Sequence, residues 1–310
     1  MMRYKTINKF SFVFSILLTA SLVAQTHVYG NVPGNTVLDE SVAADTLDDS
    51  SWDYALRTSL TGSQASYRNW SQGGTDNISM LGNAAFTSSY QKNNLMYNLG
   101  VNLRYGQSRI GDGDFVKSDD QIRIRNQFRR LFRDERYSAI MNINFESQFD
   151  KGYDNPVAAE GETREVVSRF FSPAYLSQTL GLSYNPDRHL RFEAGLAMKQ
   201  TFVSDTELSV KYGLDTGETF RNEAGFSLLI GYERRIMESI YYSGYVETFT
   251  NINKSLTSTD LFFVSEITGR INRYVSANVE FALAYNDDIT DELQVRQTVS
   301  VGFSYSFFED

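Results

Sequence analysis

The stretch 293-LQVRQTVSVGFSYSF-307 puts Leu293, Val295, Val299, Val301, Phe303, Tyr305 and Phe307 at odd positions and Gln294, Arg296, Thr298, Ser300, Gly302, Ser304 and Ser306 at even ones. Residues two apart share a side only in an extended strand, so this stretch is oily on one face and wet on the other. The same period recurs in 95-LMYNLGVNLRY-105, 137-YSAIMNINF-145, 190-LRFEAGLAMKQTF-202 and 275-VSANVEFALAY-285. Segments of this kind begin near residues 54, 77, 95, 120, 137, 174, 190, 219, 240, 261, 275 and 293. Twelve one-sided strands predict an all-β protein.

Alternation alone does not separate a soluble sandwich from a membrane barrel, because both bury one face of each strand. The connections do. After even-numbered segments they are short, at 91–94, 133–136, 185–188, 233–239 and 271–273. After odd-numbered ones they are mostly longer, at 68–77, 107–119, 150–173, 203–218, 250–260 and 286–292. An even strand number, with short turns on one rim and long loops on the other, is the rule for a transmembrane antiparallel β-barrel, here of twelve strands. Aromatics fall at the strand ends: Tyr90, Phe132, Tyr137, Tyr184, Tyr232, Tyr242 and Phe307 by the short turns, and Tyr105, Tyr175, Phe202, Phe220, Phe263 and Tyr285 by the long loops. They are expected to form two interfacial girdles. Asn126 and Ser265 interrupt the apolar faces of 122-IRIRNQF-128 and 261-LFFVSEI-267, and a bulge or register shift is expected at each.

Ahead of the strands, Arg3, Lys5 and Lys9 precede an apolar run from Phe10 to Ala24, the pattern of a signal peptide cleaved between Ala24 and Gly30. Residues 31–51 are small, polar and acidic and read as a flexible periplasmic segment, leaving 52–310 for the barrel. The sequence has no cysteine, so no disulfide supports the fold. A net charge of -9 argues against nucleic acid as a partner.

Three pieces, the loop NWSQGG, the hairpin 169-RFFSPAYLSQTLGLSYNPDRHLRFEAGLAM-198 and the terminal strand VSVGFSYSF, together resemble an uncharacterised family of bacterial outer-membrane β-barrels known only as a domain of unknown function. The resemblance extends over most of the mature chain. It implies a fold and an outer-membrane location with both termini in the periplasm, and no reaction. The terminal strand also looks like the signal read by the barrel-assembly machinery, although Glu309 and Asp310 follow its aromatic end. Lipid and lipopolysaccharide are the surroundings this implies.

Chemistry finds few footholds. Once His27 leaves with the signal, His189 remains, in a short turn away from where a surface hydrolase would work, so no enzyme is expected. No cysteine, histidine pair or calcium-loop pattern offers a metal or cofactor site, and the acidic loops 111–115 and 286–292 read as solvated charge. In 69-NWSQGGTDN-77, Gly73 and Gly74 read as hairpin glycines because a strand follows them, where a phosphate loop needs a helix; Trp70 is an extracellular-loop aromatic, over the barrel mouth or in the headgroups. The wet faces are more informative. Arg57, Arg104, Arg123, Arg125 and Arg129 are expected on one wall of the lumen, with Glu146, Glu193, Glu223, Glu247, Glu266 and Glu280 on the other. Such a lining suits a narrow pore for small polar solutes or ions. The alternative is a closed barrel acting as a structural or surface-interaction module through its extracellular loops.

Overall fold

The structure, a computed structural model, describes residues 51–66, 76–153, 165–254, 258–272, 274–286, 288 and 290–307. Residues 1–50, covering the proposed signal and all but the last residue of the acidic lead-in, and the loop residues Trp70, Gly73 and Gly74, lie outside them, while Ser51 already belongs to the first strand.

The strands are β1 (Ser51–Ala65), β2 (Asn77–Lys92), β3 (Leu95–Ile110), β4 (Val116–Leu131), β5 (Tyr137–Ser147), β6 (Gly152–Tyr153), β7 (Val166–Ser168), β8 (Ala174–Tyr184), β9 (Leu190–Phe202), β10 (Phe220–Met237), β11 (Ile240–Asn251), β12 (Thr259–Arg270), β13 (Val275–Asn286) and β14 (Thr290–Phe307). All but β6 and β7 form one closed twelve-stranded antiparallel barrel in chain order. β6 and β7 make a small hairpin inside the loop between β5 and β8. The ring closes where β1 meets β14, from Leu56↔Phe307 to Thr61↔Gly302, so each strand has a partner on both sides.

The period-2 pattern sorts side chains between outside and lumen. Leu180, Val299 and Phe303 are 66%, 68% and 70% exposed on the outer surface, while inward-facing Arg123, Glu193 and Glu223 are 6%, 6% and 4% exposed. That inverts the arrangement of a water-soluble protein. Aromatics flank the apolar exterior. Near the short turns, ring pairs Trp52–Tyr90, Tyr97–Phe128 and Tyr137–Tyr184 stand 4.8, 4.8 and 4.7 Å apart. Near the other rim, Phe171 lies between Phe145 at 6.0 Å and Phe202 at 5.8 Å, and Phe202 continues to Phe220 at 5.1 Å. Tyr175 departs from the expected girdle: it points inward, buried in the lumen.

Several loops are shorter than their polarity suggests. The expected turn 233–239 is strand as far as Met237, the expected loop 107–119 shrinks to 111–115, and within the expected loop 286–292 β13 runs to Asn286 and β14 starts at Thr290. Backbone ladders are indifferent to side-chain polarity and continue past the membrane, as Arg234↔Tyr242 and Arg235↔Tyr241 show. The expected irregularities at Asn126 and Ser265 are absent, and pairing runs unbroken through both. Each polar outer group meets a tyrosine hydroxyl instead. Tyr97 donates to Asn126 Oδ1 at 2.8 Å, and Ser265 Oγ donates to the Tyr242 oxygen at 3.3 Å. The register shifts fall elsewhere, at Gly106/Gln107 opposite β4, at Arg235/Met237 and at Ala284/Asn286.

Inside the wall, Gly181 pairs with Gly195, and a Cβ on Gly181 would lie 2.2 Å from the Ala194 carbonyl oxygen, so β8 and β9 approach too closely for a side chain there. Over the long-loop rim, Val203, Leu208, Tyr212 and Leu214 pack together around two 3-10 turns, Thr206–Leu208 and Val210–Tyr212.

Candidate functional site

Strand alternation aims Arg57, Arg104, Arg123, Arg125 and Arg129 from β1, β3 and β4 into the lumen, and Glu146, Glu193, Glu223, Glu247, Glu266 and Glu280 from β5 and β9 to β13. The expected separation into a basic and an acidic wall does not hold, because cations left out of that reading neutralise the glutamates locally. Glu193 takes Arg129 at 3.5 Å and Arg191 at 3.6 Å, with amide donors from Gln127 and Asn142 at 3.2 and 3.0 Å. Glu223 takes Lys199 at 3.3 Å and Arg221 at 3.0 Å, plus the Asn251 amide at 2.8 Å. Glu280 takes Arg296 at 2.8 Å. On the arginine side, Arg104 pairs with Asp119 at 2.5 Å and Arg123 with Glu146 at 3.2 Å. Burying these charges is tolerable because each of the pairs named sets opposite charges in contact.

Lys199 and Asp260 were missed by sequence reasoning and sit near the middle of this network, 2.5 Å apart across three strand intervals from β9 to β12. Lys199 also lies over the Phe249 ring at 4.8 Å. The signal for Lys199 was its place on the wet face of β9; chain spacing carries no hint that it meets Asp260. Also missed was an apolar patch inside the wall of β11 to β13, formed by Tyr245, Phe262, Val264, Ala282 and Ala284. Its trace in the sequence is the unbroken apolar run LFFV at 261–264, oily on both faces.

Inside the barrel, toward the long-loop ends of β5, β8 and β12, a cavity of about 80 Å³ lies among Arg123, Arg125, Glu146, Lys199, Glu247 and Asp260. At about 10–15 Å³ for each enclosed water, it holds several. The Nε and Nη2 of Arg125 are buried and meet no hydrogen-bond acceptor. Above it the loop 203–219 is hooked onto the inner rim: Arg221 Nη1 donates to the Gly213 carbonyl at 2.6 Å, Arg221 holds Asp288 at 2.9 Å, and Lys254 also pairs with Asp288. Tyr212 donates to the Val167 carbonyl at 2.6 Å, and burial pushes its phenol above the usual range.

His189 occupies the turn between β8 and β9. Its backbone N–H and that of Leu190 donate to Asp187, which draws the Asp187 carboxyl below the usual range, and its Nδ1 lies 3.0 Å from the Glu233 carbonyl oxygen. Among the described residues, no three histidine, aspartate or glutamate side chains gather as a metal would need.

A closed barrel that turns leucine, valine and phenylalanine outward all round, between aromatic rows, and keeps its charges inside is the construction of a transmembrane β-barrel. Residues 63–153 of the chain match a family profile described as "Protein of unknown function (DUF3078)". The match takes in the NWSQGG loop but not the hairpin 169–198 or the terminal strand, so it spans less than the resemblance suggested. No functionally curated protein matches the chain. Among solved structures it is similar to the translocator domain of the autotransporter NalP from Neisseria meningitidis, at 12% identity over 87% of this chain and 92% of that chain, with a TM-score of 0.40. An outer membrane channel from Pseudomonas putida F1 is similar at 8% identity over 84% and 96%, with a TM-score of 0.40. Identities this low transfer neither ligand nor activity.

Proposed function

We propose that the protein is an outer-membrane barrel whose lumen is a narrow pore for small polar solutes or ions, with no enzymatic role. The observation that carries this reading is the cavity inside the barrel, lined by Arg123, Arg125, Glu146, Lys199, Glu247 and Asp260. A cavity lined by charged side chains holds water, which supports reading the interior as a water path rather than a packed plug. Paired charges along the wall screen the path for small polar species. The short turns and both termini face the periplasm, the long loops face outward among lipopolysaccharide, and assembly runs through the barrel-insertion machinery.

One observation favours the second reading, a closed barrel working through its loops: the 203–219 segment is tied across the rim by Arg221 and Asp288. Liposome swelling separates the two. Refolded protein is expected to admit glycine and small sugars and to slow sharply with trisaccharides; vesicles that swell in none of them refute the pore. Failure to fractionate with outer membranes refutes the location under both readings.

A further inference from the structure

We propose that the protein carries a saccharide-binding subsite on its long-loop rim, in a recess that takes an uncharged hexopyranose unit. The recess has a volume of about 560 Å³ and lies where the stretches 149–151, 169–170 and 204–206 meet, sharing no lining residue with the cavity inside the barrel. Ligand pockets span about 300–1,000 Å³, so a sugar unit fits. Two phenylalanines give the recess flat apolar walls, Phe149 being 43% and Phe170 59% exposed. Its charged lining is balanced, with Lys151 and Arg169 against Asp150 and Asp205, and Arg169 Nη1 stands 2.8 Å from Asp205 Oδ2. Ser204 and Thr206 add hydroxyls.

Buried polar side chains hold these walls in place. The Asp120 carboxylate accepts the backbone N–H groups of Phe149 at 2.7 Å and Asp150 at 2.8 Å, and Lys117 Nζ donates to the Asp150 carbonyl at 2.6 Å. Gln148 Nε2 donates to the carbonyls of Arg169 and Ser172, each at 2.8 Å, and the Asp205 N–H donates to Ser172 Oγ at 2.9 Å. Phe171 adopts φ 57°, a left-handed conformation rare for a bulky residue, and its ring packs between Phe145 and Phe202 while Phe170 beside it stays uncovered. A recess held this way costs little ordering when a ligand enters. The balance of charge then decides the ligand class. A phosphate or carboxylate would meet Asp150 and Asp205, a cation would meet Lys151 and Arg169, and an alkyl chain would desolvate all four. A zwitterion matches the charges and leaves both rings bare. A pyranose lays its C–H face on a ring, and its hydroxyls donate to the carboxylates and accept from the cations.

The test is saturation-transfer NMR on the folded barrel in amine-oxide micelles, which carry no sugar headgroup. Maltotriose and cellotriose are the free probes, and a parallel arm uses the oligosaccharide released from lipopolysaccharide by mild acid. Wild type is expected to show saturable transfer, strongest at the C–H protons of one pyranose face. Phe170→Ala is expected to bind about fivefold or more weakly, and Phe170→Trp at least as well as wild type. Because Phe170 is exposed, both variants are expected to keep the heat-shifted gel band of the folded barrel. Saturation by the trioses assigns the subsite to free saccharides, and saturation by the lipopolysaccharide fragment alone assigns it to the surrounding glycolipid. Saturation by none of the probes, unchanged affinity in Phe170→Ala, or displacement of the sugar by phosphoethanolamine at equal concentration overturns the subsite. Binding needs no conduction, so liposome swelling decides the pore separately.

Discussion

Lys199→Met is the sharpest perturbation of the lumen. Lys199 holds Asp260 at 2.5 Å and Glu223 at 3.3 Å, and these side chains are 8%, 16% and 5% exposed. At an effective dielectric of about 20 the nearer pair has a gross attraction of 332/(20 × 2.5), about 7 kcal/mol, most of which desolvation offsets. Without the lysine, Glu223 still has Arg221 at 3.0 Å and Asn251 at 2.8 Å, whereas Asp260 loses its cation. One stranded carboxylate rather than two puts the loss at the lower end of the range for a broken buried pair, about 3 kcal/mol. Lys199→Met/Asp260→Asn removes the stranded charge and is expected to recover about 1–2 kcal/mol of that loss. Guanidinium unfolding in detergent, followed by tryptophan fluorescence, measures both variants. A single variant within about 0.5 kcal/mol of wild type, or a double variant no better than the single, refutes the claim that the Asp260 charge depends on Lys199.

On the outer face, Tyr97→Phe leaves the Asn126 amide without its 2.8 Å donor in lipid and is expected to cost about 1–3 kcal/mol, while Asn126→Leu is neutral or stabilising; the same unfolding assay reads both. Gly181→Ala drives a Cβ to 2.2 Å from the Ala194 carbonyl, so the heat-modifiable gel band of the folded barrel is expected to disappear. A result in which Gly181→Ala folds at wild-type yield contradicts the close β8–β9 approach. Tyr212 has its folded pKa raised by burial, so its contribution is fully present below the unfolded value of about 10 and is lost as pH rises toward the folded value. Limited proteolysis of the 203–219 loop is expected to accelerate above that pH in wild type, and Tyr212→Phe removes the pH dependence.

Strand number, order and facing were legible in the sequence because one rule, alternation between lipid and lumen, governs every barrel residue. The starts of β2, β3, β5, β8, β9, β11 and β13 coincide with the expected positions. Boundaries were legible only where polarity and pairing change together. They part at Glu233–Met237, where the ladder runs on through charged residues, and at 107–110, where β3 continues into a segment that reads as loop. The lumen was legible in direction and not in partnership. Alternation aims Glu193 inward, but that it meets Arg129 and Asn142 depends on side chains reaching past neighbouring strands. Tyr175 and Phe262 were hidden for a related reason: an aromatic has the same letter whether it faces lipid or fills the wall from inside.

Single-channel recording of the refolded protein in planar bilayers tests the central claim most directly. The account predicts discrete openings in symmetric potassium chloride, with a reversal potential in a salt gradient that moves toward cation preference in Arg123→Gln and Arg125→Gln. A correctly folded, inserted barrel that stays silent contradicts it.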